Sequence, residues 1–329
     1  MTRILSYNIL AGGRQRVDQL TNIISSAQPD IVGLIEAYDP QIVEEIAQRL
    51  GMHFRMSESY SHDCKGQTAL LSRLPIIETH SHYLSDRHTR SVLEASVEEE
   101  DGRKLTVFIA HLTAAFNQSR GGDGPRGHEV QAILRMMTSK RGTPHLLMGD
   151  FNAIAPGDRL KASALLRYLI IMDQHYRRNP YEDFGHPNLD SVVPKPLRFL
   201  YPFMDAFTHS KILCALLDRT GSLYASRGSI SRLRKAGYID CFRLKNPKAS
   251  GFTCPAASLA GRIDYIFASP ELAERLSASY VVTEGNGFRG DEASDHLPVF
   301  AEFGEGVQVA EGPVHGITTH RPFDLIDNI

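Results

Sequence analysis

The sequence predicts an α/β fold in which two packed β-sheets carry helices on their outer faces, as one continuous domain over residues 1–303. Three observations lead there. Two short apolar strands near the N-terminus are each followed by a segment of helical spacing. A run of strands in quick succession over residues 53–112 implies antiparallel pairing. Further strands return between residues 145 and 303, so strand-rich stretches are flanked by helices that can cover them.

In order along the chain, residues 3–10 read as a strand. After Gly12 and Gly13 the spacing of Val17, Leu20, Ile23 and Ile24 predicts a helix ended by Pro29. "PDIVGLIE" gives a short apolar strand finishing on Glu36, and residues 42–50 give a second helix closed by Gly51. Strands follow at 53–60, 67–73, 76–83, 91–97 and 104–112, joined by turn-like segments that include the acidic hairpin "EEEDGRK". A helix near 128–140 leads to the strand "HLLMGDF", and the late strands are "RIDYIFA" and "PVFAEF". Residues 155–237 stand apart. A helix at "LKASALLRYLIIMDQ" followed by Pro-rich and aromatic stretches reads as an insertion beside the main core, a substrate-facing lid. The tail, 304–329, is polar and turn-rich, which predicts loose order.

Composition narrows the function classes. A formal charge of -2, with 42% apolar and 22% charged residues, is that of an ordinary soluble protein and lacks the overall basicity of a nucleic-acid-coating chain. Any nucleic-acid surface must be local. One candidate is the stretch 219–248, where Arg219, Arg227, Arg232, Arg234, Lys235, Arg243, Lys245 and Lys248 face a single acid, Asp240. It is either a solvated face or a place for a phosphate-rich ligand, with Arg232, Arg234 and Lys235 as its substrate-binding candidates. Cys64, Cys214, Cys241 and Cys254 show no paired spacing, which argues against a disulfide framework or a zinc knuckle; His62 and Cys64 make at most half a metal site. No stretch approaches the roughly 20 apolar residues of a membrane span, and "MTRILSYNIL" lacks a secretory signature. The expectation is a cytoplasmic protein without integral membrane association or an obligate protein partner.

The informative polar residues finish or precede short apolar strands, where a sheet presents side chains along one rim. Asn8 ends "ILSYN", Glu36 ends "IVGLIE", His111 ends "TVFIAH", and Asp150 and Asn152 end "HLLMGDFN". Asp264 lies in "RIDYIF", and Asp295 and His296 precede "LPVF", where Pro298 favours a strand start. Each alone reads as a cap, a bend or a satisfied histidine. Together they form an oxygen-rich, acid-and-imidazole set suited to a hard divalent ion and a phosphate group.

The ordered series "SYNIL", "PDIVGLIEA", "TALLSR", "FIAHL", "LLMGDFNA", "RIDYIF" and "SDHLPV" resembles the endonuclease/exonuclease/phosphatase superfamily, from Arg3 to Phe303 with the insertion interrupting. The resemblance implies a four-layer α/β/β/α sandwich of two mixed, mainly antiparallel sheets. It implies Glu36 as a direct ligand of Mg²⁺ or Mn²⁺, with Asn8 and Asp295 as direct or water-mediated partners. Asp150 would orient and deprotonate the attacking water, and Asn152 would hydrogen-bond the scissile phosphate or the developing charge. His296, oriented by Asp264, would contact a phosphate oxygen or help proton transfer, and His111 would stabilise the transition state. Two departures stand out: Ile35 precedes the acidic ligand where the superfamily often has Gln, and Tyr7 precedes Asn8 where many abasic endonucleases have Trp. With the histidine of its "AHL" block, the chain looks less like those repair enzymes than like the deoxyribonuclease, sphingomyelinase and phosphatase branches. The expected substrate is a phosphoester, nucleic acid first. A small phosphorylated metabolite, inositol phosphate or phospholipid is the second reading, and a catalytically silent binding module the third.

Overall fold

The central Ile4, Leu5, Ser6 and Tyr7 of Thr2–Asn8 are all buried, which suits a strand covered on both faces, and this segment forms β1 inside the first of two six-stranded sheets. The structure is a computed structural model that describes residues 1–58, 67–84, 91–114, 119–178, 189–193 and 195–305. His62, Cys64, the strand end at Tyr60 and the tail beyond residue 305 lie outside the described residues.

In the first sheet β1 runs parallel to β2 (Ile31–Ile35), which pairs antiparallel with β4 (Thr68–Ser72), itself antiparallel to β3 (His53–Met56). On its other side β1 pairs antiparallel with β14 (Val299–Phe303), and β14 with β11 (Leu276–Val281). The second sheet orders β5 (Ile76–Tyr83), β6 (Ser91–Glu98), β7 (Lys104–His111), β8 (His145–Asp150), β10 (Asp264–Ala268) and β9 (Ile239–Asp240). Only its β7–β8 pair is parallel. Ile31, Leu70, Val107, Ile109, Met148 and Ile266 interdigitate between the sheets. The fit is closest at Gly33, where a Cβ would lie 2.4 Å from the Met148 terminal methyl.

Helices α1 (Val17–Ser26) and α2 (Pro40–Leu50) cover the outer face of the first sheet, with Leu20, Ile23, Val43 and Ile46 packed on Leu5, Val32 and Leu71. The predicted stop of α2 holds. Gly51 caps it at φ 64, and Asp39 accepts from the Gln41 amide at its start. Helices α3 (Ser119–Met137) and α8 (Gly228–Lys235) cover the second sheet, with Ile133 and Ile230 over Phe108, Leu147 and Phe267. The four layers expected are therefore present. Helix α3 starts earlier than the sequence suggested, through a Gly- and Pro-bearing stretch of poor intrinsic propensity. Tertiary anchors override that propensity: Arg126 donates to the Thr113 carbonyl at 2.8 Å, and Glu129 accepts from the Thr113 amide at 2.9 Å.

Within 155–237 the sequence showed one helix; the structure adds more. Helix α4 (Ala162–Arg178), the short α5 (Leu189–Val192), α6 (Tyr201–His209) and α7 (Lys211–Tyr224) surround an apolar cluster of their own, centred on Leu166, Leu169 and Met204. The ends of this segment are tied at one point. Arg262 donates to Asp158 at 2.8 Å and to both oxygens of Asp240 at 2.8 and 2.6 Å. Strands β9 and β11, the small β12–β13 hairpin (Glu284–Gly285 with Phe288–Arg289) and helices α9 (Cys241–Lys245), α10 (Pro270–Ala273) and α11 (Gly290–Ala293) complete the described chain.

Candidate active site

Strand register assembles the rim. Parallel pairing sets Asn8 opposite Ile35, so Asn8 and Glu36 emerge together at the ends of β1 and β2. In the facing sheet His111 stands opposite Asp150, and Asp150 opposite Asp264, which aligns three functional side chains across β7, β8 and β10. Gly149 permits this. At φ 142, a Cβ there would fall 1.8 Å from the Ala110 carbonyl oxygen, so no other residue fits the step before Asp150. Glu36 (φ 60) and Asn152 (φ 48), each just beyond a strand end, adopt the left-handed backbone that non-glycine residues rarely take. The turn before β14 supplies Asp295 and His296. It is pinned by Ser294, whose hydroxyl donates to the Asn8 carbonyl at 2.7 Å and accepts from the His296 amide at 3.3 Å.

The side chains meet in one hydrogen-bonded group. Asn8 Nδ2 donates to Glu36 Oε1 at 3.3 Å and to Asp150 Oδ2 at 3.2 Å, while its Oδ1 accepts from the Leu10 amide at 3.0 Å. The other Glu36 oxygen accepts from the Ala11 amide at 2.8 Å. Asp150 Oδ1 accepts from the Asn152 amide at 2.9 Å. His296 Nδ1 pairs with Asp264 Oδ2 at 2.8 Å, and its Nε2 lies 3.8 Å from Asp150 Oδ2. His111 Nε2 approaches the same Asp150 oxygen at 3.5 Å. With Asp295 Oδ1 4.0 Å from His296 Nε2, the eight strand-end residues proposed from the sequence are brought to one rim. Asn152 differs in detail: its side-chain amide donates to the Leu112 carbonyl at 2.9 Å and, more weakly, to Asp150 Oδ2 at 3.4 Å.

Electrostatics mark the group as short of positive charge. Asp150 and Asp264 are 2% and 1% exposed. Burial, the nearby Asp264 and Glu36 charges and incomplete compensation by His296 push Asp150 up to about 7. Burial and then the Asp295 charge raise Glu36 as well. Burial works against the His296 imidazolium, but Asp264, Cys254, Asp295 and Asp150 outweigh it and hold its pKa well above the ordinary value. Asp264 Oδ1 has no hydrogen-bond partner among the described residues. The raised pKa values of Asp150 and Glu36, and separately the orphaned oxygen of Asp264, fit a hard divalent cation held by oxygen. The tightest trio, Asp150, Asp264 and His296, has ligand atoms within 4.8 Å of one another. Its imidazole is held as a cation beside Asp264 and has no lone pair to offer, so the oxygens beside Glu36 suit such a cation better.

Sequence reading missed several supports. Arg16 reaches from the loop after β1 to donate to the Leu10 and Ala293 carbonyls, joining the two loops that carry Asn8 and Asp295. Burial lowers its pKa, and Asp295 opposes that. Thr253 Oγ1 accepts from the Asp264 amide at 3.3 Å, and its carbonyl accepts from the Leu297 amide at 2.8 Å. Nothing in the spacing of these residues signals such contacts across the fold. The basic stretch is divided in its roles. Arg227 donates to the Asp158 carbonyl at 3.0 Å and Arg243 to Asp158 Oδ1 at 2.9 Å, so both are structural. On α8, Arg232 packs over Gly127, Arg234 donates to the Pro156 carbonyl at 3.2 Å and Lys235 is exposed. Among the described residues none of these three bonds to the rim group.

Comparison with known proteins identifies the family and the fold. The sequence model of the Endonuclease/Exonuclease/phosphatase family matches residues 5–296. Exodeoxyribonuclease III of Haemophilus influenzae is 26% identical over 318 residues, covering 92% of this chain and 99% of that enzyme. An AP endonuclease from Archaeoglobus fulgidus superposes with a TM-score of 0.60 at 16% identity, over 92% of this chain and 99% of that one. A 3'-5' exonuclease from Neisseria meningitidis superposes at 0.59 and 20% identity, over 92% and 100%. At such identities the two structures speak for the shared fold.

Proposed function

The chain belongs to the endonuclease/exonuclease/phosphatase family, and on that premise we propose that it is a divalent-metal-dependent nuclease that hydrolyses DNA phosphodiesters by in-line attack of water. The observation that carries this reading is the buried row His111, Asp150 and Asp264 in register, with His296 locked to Asp264 at 2.8 Å. The DNA substrate is favoured by the exodeoxyribonuclease relative, which the chain matches along nearly its whole length.

Each residue takes a role from its surroundings. Asp150, raised to about 7 and held by Asn8 and Asn152, is matched to accept a proton from water near neutrality. His296, kept cationic by Asp264, offers Nε2 to a non-bridging phosphate oxygen, where charge grows in the transition state. His111 stands beside Asp150 to stabilise the same charge. Asn152 holds Asp150 and can exchange its 3.4 Å contact for a phosphate oxygen. Glu36, Asp295 and Asn8 would hold Mg²⁺ or Mn²⁺, which supplies Lewis-acid stabilisation of a phosphoryl oxygen when bound. The segment 155–237 is read as an appendage beside this catalytic body, with Arg232, Arg234 and Lys235 as surface contacts for a polyanionic backbone.

The test is turnover across single- and double-stranded DNA, RNA, abasic duplex, inositol phosphates and phospholipids, with Mg²⁺ or Mn²⁺. Cleavage of DNA is expected. Turnover confined to a small phosphoester would replace the nuclease reading, and tight binding without turnover of any substrate would make the chain a silent binding module.

A further inference from the structure

The main chain just past His111 is held by two buried, ionisable side chains of α3. One bond of the ladder with β8 continues beyond the strand, from the Leu112 amide to the Asp150 carbonyl at 2.8 Å. Thr113 is then taken over by α3. Its amide donates to Glu129 Oε2 at 2.9 Å, its hydroxyl donates to Glu129 Oε1, and its carbonyl accepts from Arg126 Nη1 at 2.8 Å. Each polar atom of Thr113 therefore ends on Arg126 or Glu129, which stand three residues apart on one face of the helix. Arg126 is fully buried and Glu129 is 2% exposed. Between them Gly127 lets α8 approach, since a Cβ there would meet Arg232 Nη1 at 2.5 Å.

Packing alone does not call for this arrangement. A guanidinium and a carboxylate taken out of water cost more than apolar side chains of similar volume, and the bonds just described all go to one threonine. What they fix is the exit of β7. His111 is the last residue of that strand, so its imidazole is aimed by the ladder before it and by Leu112 and Thr113 after it. Its Nε2 stands 3.5 Å from Asp150 Oδ2, at the limit of a hydrogen bond. At that spacing a small shift of the strand end decides whether the imidazole reaches the carboxylate and a phosphate beside it. The clamp on Thr113 removes this freedom, and it is seated on a packed helix: Val130 and Ile133, in the turn after Glu129, are buried against Phe108 and Leu147.

We propose that Glu129, together with Arg126, is a positioning residue for His111, acting through Thr113 to set the end of β7 where the imidazole meets the reacting phosphate. His111 has this task only if the rim is a phosphoesterase site, as proposed above, so one readout is independent of turnover. Glu129→Leu takes the acceptor from the Thr113 amide and hydroxyl, and kcat for DNA hydrolysis in Mg²⁺ is expected to fall about 10- to 100-fold with KM little changed. Glu129→Gln keeps an acceptor for the amide and should recover most of that loss. A His111→Ala background separates positioning from general loosening: there Glu129→Leu should lower kcat less than about threefold further, because the side chain it places is gone. Thr113→Val removes only the hydroxyl bond; its loss of about three- to tenfold should vanish in the same background, and it carries the cycle if circular dichroism shows Glu129→Leu unfolded. In chelator and without substrate, the His111 ring resonances, assigned by their absence in His111→Ala, should move in the Glu129 and Thr113 variants while those of His296 stay. A wild type that turns over no phosphoester would end the nuclease reading and leave these resonances to decide the clamp. Full turnover in a folded Glu129→Leu, equal losses with and without His111, or unmoved His111 resonances would overturn the proposal.

Discussion

Asp150 is the residue on which the rim group converges: Asn8, Asn152, His111 and His296 all turn toward its two oxygens. Its raised pKa has a consequence that requires no substrate. The folded protein binds the Asp150 proton more tightly than the unfolded chain does, because its pKa climbs from 3.8 to about 7. That contribution to stability is full below about pH 4 and is lost as pH rises through about 7. The raised His296 acts in the same direction, with its share lost at still higher pH. In chelator, urea midpoints are expected to fall between about pH 5 and about pH 8, and Asp150→Asn should flatten that slope. An unchanged slope in the variant would remove Asp150 as its source. Asp264→Asn tests the histidine's support: the imidazole loses the carboxylate that holds Nδ1, and kcat should fall on the order of 10²-fold with a lowered His296 pKa by NMR. The rim residues were legible because each sits at the edge of an apolar run. Arg16, Ser294 and Thr253 were harder to recognise, for they act through backbone groups of distant loops that no local pattern advertises.

At the level of elements, sequence periodicity found the buried strands and the capped helices, since apolar runs and a glycine stop are local signals. It missed β11, an edge strand whose Leu-Ser-Ala-Ser-Tyr-Val composition alternates weakly, and it shortened α3, whose glycines and proline are overruled by the Arg126 and Glu129 anchors. The basic stretch 219–248 was read for charge alone. Arg227 and Arg243 instead tie the base of the helical segment together. Two substitutions test how elements hold the site. Gly149→Ala drives a methyl into the Ala110 carbonyl and should cost about 3 kcal/mol or more in denaturant unfolding. Arg262→Met leaves Asp240 buried without its two charge-assisted bonds and strips one from Asp158, with an expected loss of about 3–5 kcal/mol. A loss below 1 kcal/mol in either would mean that the backbone relaxes around the change.

Across the whole molecule, the two sheets meet so that the ends of β1 and β2 face the ends of β7 and β8, and the site exists only when both sheets are in place. Folding therefore gathers four carboxylates into one rim, with Asp150, Asp264 and Asp295 buried and Glu36 half-buried. A cation bound there should stabilise the fold. At a hundredfold excess over its Kd, Mg²⁺ or Mn²⁺ is expected to add about 2.7 kcal/mol, seen as a rise in Tm that Glu36→Gln abolishes. The most direct measurement of the central claim is the rate of DNA hydrolysis by wild type and by Asp150→Asn, each in Mg²⁺ and in chelator. One metal-dependent site built on this rim predicts turnover only for wild type with metal, with the variant slower on the order of 10²–10⁴-fold. Cleavage that persists in chelator, or that survives in Asp150→Asn, would contradict it.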